Sequence, residues 1–451
     1  MNQVDEKLMS MGVVIPEIIL PAKNVDIRKW AVIACDQWTQ DAAYWEQVEK
    51  IVGDSPSTLN MIYPEIYLNA PDKADRVQRI HETMDRYLKN TYSKEAILCP
   101  PRRAGVFIER ECLHGTRYGL IIAVDLECYD WHNSAKGLIR TTEGTIRERI
   151  PPRLEIRRGA ALELPHILLL INDEENILMT LLKNVLHGAP DAYNAQLMMD
   201  GGKVSARLLY RRNDWAFIAD AFEYLLRKSR TTLDSEQGMI FAVGDGNHSL
   251  ATAKAAWEEY KAAHGGDSCL DHPCRYAMVE VVNLYDPALD FEPIHRIVFN
   301  ADQDLVLKAM QELPGFECST LISKNELVRL VAQDNNEKNR VGLFCGGKFT
   351  LAQFDNTKIS VEFLEPILDK LANSSKTTGG DAISIDYIHG IEELFRLSGA
   401  EGSRNTGILM PPFKKNQLFT AISKNGALPR KTFSMGEPSE KRFYLECRKI
   451  S

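Results

Sequence analysis

Met239-Ile-Phe-Ala-Val-Gly-Asp-Gly-Asn-His-Ser249 leads straight into Leu250-Ala-Thr-Ala-Lys-Ala-Ala-Trp-Glu-Glu-Tyr260. An apolar, β-prone run ends in a glycine-bracketed turn, and an alanine-rich helix follows. A strand-to-helix turn of this kind aims unpaired backbone N–H groups and the positive end of a helix dipole at one spot, which suits an anion. Gly244 and Gly246 remove the Cβ atoms that would hold a phosphate away from the backbone. Asp245 and His248 place a carboxylate and a titratable imidazole on the same turn. The alternative is a tight turn in which Asp245 and Asn247 merely cap the helix. His248 favours the chemical reading, because a turn needs no imidazole and an acid–base catalyst does.

The rest of the chain sets the bounds. At 451 residues it can bury a large core and divide into two or three domains. A net charge of -8 argues against a protein that coats nucleic acid but leaves room for a local basic pocket. The nine cysteines are odd in number and scattered, and Met1-Asn-Gln-Val-Asp-Glu-Lys7 lacks the pattern of a secretory signal. Together these lead us to expect free thiols in a reducing cytoplasm. Apolar runs such as Ile167 to Ile171 are too short to span a bilayer, so no membrane partner is expected.

Helical spacing of Val77, Ile80, Met84, Tyr87 and Leu88 predicts a helix over Asp72–Asn90. Ala104–Glu109 and Gly119–Asp125 read as strands around a Leu-His-Gly-Thr turn. Asn213 reads as the N-cap of a helix that buries Trp215, Ile218, Phe222 and Leu225. The polar stretch Arg227–Glu236 reads as a boundary. Further on, Arg275–Leu284 reads as a strand, two helices fall near Asp302–Leu313 and Asn325–Gln333, and Gly346-Gly347 joins a hairpin over Val341–Phe354. Helices and strands alternate without βαβ regularity. This predicts an α/β or α+β protein of mixed sheets with flanking helices. Two regions are expected, 1–230 and 231–451, with an arginine-rich loop over 138–158 in the first and the glycine turn in the second.

The segment Leu138-Ile-Arg-Thr-Thr-Glu-Gly-Thr-Ile-Arg-Glu-Arg-Ile-Pro-Pro-Arg-Leu-Glu-Ile-Arg-Arg158 carries Arg140, Arg147, Arg149, Arg153, Arg157 and Arg158 and no lysine. Arginine suits forked recognition of phosphate, so Arg140, Arg149 and Arg153 are candidate phosphate ligands and Glu143 a candidate catalytic carboxylate. The competing reading is a solvated charged surface salted with Glu143, Glu148 and Glu155. His295 and Arg296, in Pro293-Ile-His-Arg-Ile297, and Lys431, in Leu428-Pro-Arg-Lys-Thr432, join the phosphate-binding candidates. His264, Cys269, His272 and Cys274 lie close together, but their spacing matches no standard zinc pairing. Mg2+ held through phosphate oxygens and Asp245 or Glu143 is the favoured metal reading. The chain lacks a Walker-type loop, a Gly-x-Ser-x-Gly elbow and a dinucleotide fingerprint.

Gly244-Asp-Gly-Asn-His248, Asp290-Phe-Glu-Pro-Ile-His-Arg296 and Leu428-Pro-Arg-Lys-Thr432, with Ile139-Arg-Thr-Thr-Glu-Gly-Thr145, resemble the bacterial and archaeal domain family of unknown function 1015 over nearly the whole chain. The turn also resembles the Asp-Gly-His-His-Arg loop of the ParB/sulfiredoxin-like fold, which includes free-serine kinases. That local resemblance implies that Asp245, Gly246, His248 and the N–H groups at Ser249 hold phosphate. It also implies a nucleotide, ATP or ADP, as ligand. Asn247 stands where the first His is usual and Ser249 where Arg is usual. The missing arginine leaves a charge clamp to be supplied by the arginine segment or Arg296. The expected function is a phosphotransferase acting on a small hydroxy metabolite such as serine. The alternatives are a phosphatase for a phosphoserine-like ester and a non-catalytic regulator that binds a nucleotide or phosphometabolite.

Overall fold

Along the strand Gly105–Cys112, Phe107 faces one hydrophobic cluster while Val106 and Ile108 face another. The neighbouring strand Gly115–Asp125 repeats this, with Leu120, Ile122 and Val124 on one side and Ile121 on the other. Period-two alternation with both sides apolar means a sheet covered on both faces. The structure, a computed structural model, describes residues 2–89, 91–132, 136–333, 337–375, 382–400 and 402–451. It divides into two compact units, Met1–Asp290 with Gly436–Ser451, and Phe291–Met435.

The sheet of the first unit runs in the order Asp191–Gln196, Lys203–Leu209, Gly105–Cys112, Gly115–Asp125, Tyr276–Asn283, Leu168–Ile171, Phe241–Asp245, Ile139–Thr141 and Tyr129–Asp130. It is mixed. Leu168–Ile171 runs parallel to Tyr276–Asn283 and antiparallel to Phe241–Asp245, which in turn runs parallel to Ile139–Thr141. Trp215 and Phe222 of the helix Arg212–Thr232 and Trp257 of the helix Asn247–Ala263 pack on one face, and Trp30 and Trp45 pack on the other. Residues from the end of the chain are stitched into this unit: Phe443–Tyr444 pairs with Val32–Ile33, and Arg448–Lys449 with Leu162–Glu163.

The second unit has a six-stranded antiparallel sheet in the order Glu317–Leu321, Lys348–Asp355, Lys338–Cys345, Thr406–Leu409, His295–Phe299 and Ser384–Ile388. Leu364 and Leu368 of the helix Ser360–Ser375 cover one face, and Leu327, Leu394 and Phe395 cover the other.

Mixed α/β architecture is what the sequence predicts, and most elements fall within a few residues of their expected places. The helix expected over Asp72–Asn90 spans Lys73–Leu88, and Asn90 lies outside the described residues. The helix expected to be capped by Asn213 starts at Arg212. The division of the chain differs from expectation: the units part at 290/291 and 435/436. The stretch 227–236 is no boundary, because its first half completes the helix Arg212–Thr232 and the next strand, Phe241–Asp245, is interior to the same sheet. Nor is 138–158 a loop. It contributes the edge-side strand Ile139–Thr141 and the helix Ile150–Arg157, with Pro151 and Pro152 in the first turn, where proline costs no hydrogen bond.

Candidate functional site

Leu168 pairs with Asp245 and Leu169 with Val243, so Gly244 is the extra residue of a β-bulge. A bulge bends the strand and re-aims the side chain beside it, here Asp245. Gly246 follows with φ +78°, a left-handed conformation, and a Cβ there would lie 3.1 Å from the Ile167 backbone. Only glycine fits this approach without strain. The helix Asn247–Ala263 starts at once, and the amides of Asn247 and Ser249 in its first turn have no partner among the described residues. The expected strand-to-helix turn is present.

Side chains from four distant parts of the first unit meet at this turn. Asp245 Oδ1 accepts the Gly246 N–H at 2.9 Å, and Oδ2 accepts from Lys441 Nζ at 3.0 Å. Burial pushes the Asp245 carboxyl upward, but the Lys441 ammonium, with His166 nearby, holds it below the usual carboxylate range. Ser249 Oγ lies 2.7 Å from His166 Nε2, and the Tyr444 hydroxyl lies 2.9 Å from His166 Nδ1. The Tyr444 oxygen also accepts the Cys35 N–H at 3.2 Å and lies 3.2 Å from Cys35 Sγ. Burial raises both the Tyr444 and Cys35 acid groups, so each stays protonated.

Carboxylates surround the imidazole. Asp36 Oδ2 is 3.9 Å from His166 Nε2. Glu65 pairs with Arg153 at 2.5 Å, yet burial dominates and its pKa is raised. His166 therefore bridges two hydroxyls within the field of Asp36, Glu65 and Asp245.

The other expected residues are placed as follows. His248 Nε2 accepts the Ile146 N–H at 3.2 Å, which ties the turn to the 138–158 segment. Asn247 does the same, accepting from Thr141 Oγ1 at 2.5 Å and donating to Thr142 Oγ1 at 3.4 Å. Glu143 offers its backbone carbonyl to Thr141 Oγ1. Arg140 is buried and donates to the carbonyls of Gly137, Lys136 and Gly238, so its guanidinium closes a loop instead of facing the turn. Arg149 is exposed, while Arg153 is in the cluster through Glu65. His295, Arg296 and Lys431 belong to the second unit. There Arg296 is sealed against Glu365 and the carbonyls of Ile294 and Lys431, and His295 Nδ1 accepts the Met410 N–H. These are core contacts.

A cavity of about 640 Å³ in the first unit is lined by Tyr63, Arg76, Arg79 and Arg86, away from the turn. No group of three or more His, Cys, Asp or Glu that could hold a metal ion occurs among the described residues. Asp245 Oδ1 and Oδ2 each accept one hydrogen bond. Tyr260 stacks between His264 and His272, with ring centroids 4.0 and 3.9 Å away.

Sequence reasoning missed His166, Lys441, Tyr444, Asp36 and Glu65. His166 carried a faint signal, since it stands just before the apolar strand Leu168–Ile171, as Asp245 stands at the end of its own. Lys441 carried none.

No helix among the described residues is long and apolar enough to cross a membrane. Solved structures similar to this chain include free serine kinase in complex with AMP, at 11% identity and TM-score 0.37 over 73% of this chain and 92% of that one. A variant of free serine kinase in complex with ADP matches at 10% identity and TM-score 0.37 over 76% and 95%. A conserved hypothetical protein from Pyrococcus furiosus matches at 11% identity and TM-score 0.34 over 73% and 95%. No match is found among curated proteins. The family model described as protein of unknown function, DUF1015, matches residues 19–374, and the chain belongs to that family.

Proposed function

We propose that the protein is a phosphotransferase of small-molecule metabolism that seats a phosphoryl group at the start of the helix Asn247–Ala263. The acceptor is a hydroxyl of a small metabolite, serine first among the candidates. The observation that carries this reading is the convergence of three things on one helix N-terminus. These are the unpaired amides of Asn247 and Ser249, the Lys441 ammonium, and the Ser249–His166–Tyr444 chain of hydroxyl, imidazole and hydroxyl.

Each part has a role that follows from its chemistry. Phosphoryl transfer needs positioning and charge neutralisation more than covalent assistance. Lys441 Nζ donates to Asp245 Oδ2 and brings a positive charge to the turn, the point charge that a phosphate calls for. It fills the clamp that Ser249 leaves vacant. The His166 ring passes a proton between Ser249 and Tyr444 by exchanging tautomers: when Nε2 carries the proton, Ser249 is free to donate to a phosphate oxygen. Glu65, with its raised pKa, and Asp36, 3.9 Å from His166 Nε2, are the candidate proton acceptors for a substrate hydroxyl. His248 is the weaker candidate for that work, since its Nε2 is engaged by the Ile146 amide.

The test is phosphorus NMR of the full chain with ATP or ADP and a panel of hydroxy amino acids, with and without Mg2+. A new phosphoester resonance with loss of nucleotide supports transfer, and Lys441→Met should then slow it by about 10²-fold or more. Release of inorganic phosphate from phosphoserine without nucleotide would replace the reading with a phosphatase. Saturable nucleotide binding with no turnover would leave a regulator.

A further inference from the structure

The second unit holds a cavity of its own, about 520 Å³, a volume that suits a small metabolite. Its charged lining is one-sided: Lys338, Arg340, Lys358, Lys414 and Lys424 face a single carboxylate, Glu362. That carboxylate is committed, because Glu362 Oε2 accepts the Ile359 N–H at 3.2 Å at the start of the helix Ser360–Ser375. Lys338 is paired with Glu317 at 2.6 Å. Arg340, Lys358 and Lys424 form no ion pair with any described residue.

A row of exposed lysines would be solvated and would call for nothing more. Arg340 is different. It stands on the strand Lys338–Cys345, and its Nε is sealed from solvent with no hydrogen-bond acceptor. The guanidinium as a whole forms no hydrogen bond or ion pair with any described residue while lining the cavity, so its terminal N–H groups are left to meet an anion there.

The walls are also fixed in place. Asn339 donates to the carbonyls of Asp355 and Lys358 at 2.7 and 2.8 Å and accepts from Ser360 Oγ at 3.0 Å, locking the 356–359 loop to the sheet. Opposite, Phe413 packs on Phe433 and Phe291 with ring centroids 4.6 and 5.8 Å apart, holding the Pro411-Pro412-Phe413 wall. The cations thus line a preformed hollow, which lowers the ordering cost of binding.

We infer that this cavity is an anion-binding site for a small phosphorylated metabolite, with the Arg340 guanidinium taking the phosphate and Lys358 and Lys424 flanking it. Arginine gives the forked contact and the lysines give point charges. The site lies wholly in the second unit, and its existence does not depend on the chemistry proposed for the first.

The test is isothermal titration of the full chain with pyrophosphate at two salt concentrations. Saturable binding that weakens as salt rises is expected. Arg340→Met should weaken it by at least about tenfold, with Lys424→Gln and Arg340→Lys falling between wild type and Arg340→Met. Lys324→Gln, in the same unit but paired with Glu392 outside the cavity, should bind as wild type. Heat from any pyrophosphate bound in the first unit is common to all variants and cancels in the comparison. Absence of saturable binding at millimolar pyrophosphate would overturn the inference. So would Arg340→Met and Lys424→Gln, both folded by circular dichroism, binding as tightly as wild type.

Discussion

Arg442→Met tests what holds the C-terminal segment, and with it Lys441 and Tyr444, at the turn. The Arg442 guanidinium lies between Glu280 and Glu446, whose side chains are 2% and 0% exposed, and its Nε donates to the Pro165 carbonyl at 3.0 Å. Burial works against the Arg442 charge, but Glu446 and Glu280 reverse that and keep it protonated. Methionine of similar length keeps the packing and strands two carboxylates, of which Glu446 keeps the Tyr193 hydroxyl at 2.5 Å as its one side-chain partner among the described residues. Breaking a buried pair in this way costs about 3–5 kcal/mol. The stranded groups can also take up protons. From an ordinary pKa near 4.3, that costs about 3.7 kcal/mol for each carboxylate at pH 7, which caps the loss near about 7 kcal/mol. The variant's folded carboxyls then have pKa values above their unfolded ones, so they bind more protons folded than unfolded. Its deficit must shrink as pH falls from 7 toward 5. Thermal unfolding at both pH values is the assay, with a loss of at least about 4 °C expected at pH 7 and a smaller one at pH 5. A loss under about 1 kcal/mol, or one that grows on acidification, would refute the buried-charge account.

His166→Asn should cut any phosphoryl transfer by about 10²-fold or more and remove a limb of the pH–rate profile, because an amide cannot exchange tautomers between Ser249 and Tyr444. An unchanged profile would remove His166 from the chemistry. His248→Ala should lower stability by about 1–2 kcal/mol through the orphaned Ile146 amide, while slowing turnover less than His166→Asn does. If it abolishes turnover without changing the melting temperature, the catalytic role read from the sequence is the right one. In the second unit, burial first, then Arg296 and His389, lower the His295 pKa from 6.5 to about 4. The unfolded chain then binds the proton first, so the native state loses up to about 3 kcal/mol as pH falls from 6.5 to 4. His295→Asn should flatten that dependence in urea midpoints, and an unchanged slope would show that other groups cause it.

The strand Phe241–Asp245, its turn and the helix Asn247–Ala263 were legible because the signals are local: an apolar run, two glycines and an alanine-rich stretch. The same holds for the hairpin of Lys338–Cys345 and Lys348–Asp355, and for the mixed α/β class. Residue type alone could not place the arginines. Arg140 and Arg296 have the chemistry of phosphate ligands, but burial supplied them with carbonyl and carboxylate partners first. Nor could any local pattern reveal the cations and acids that gather at the turn. Lys441 meets Asp245 across 196 residues of sequence, and Tyr444 meets His166 across 278. Such contacts are set by where the sheet carries the chain: the C-terminal residues return to pair with Val32–Ile33 and Leu162–Glu163, and that pairing brings Lys441 to the turn.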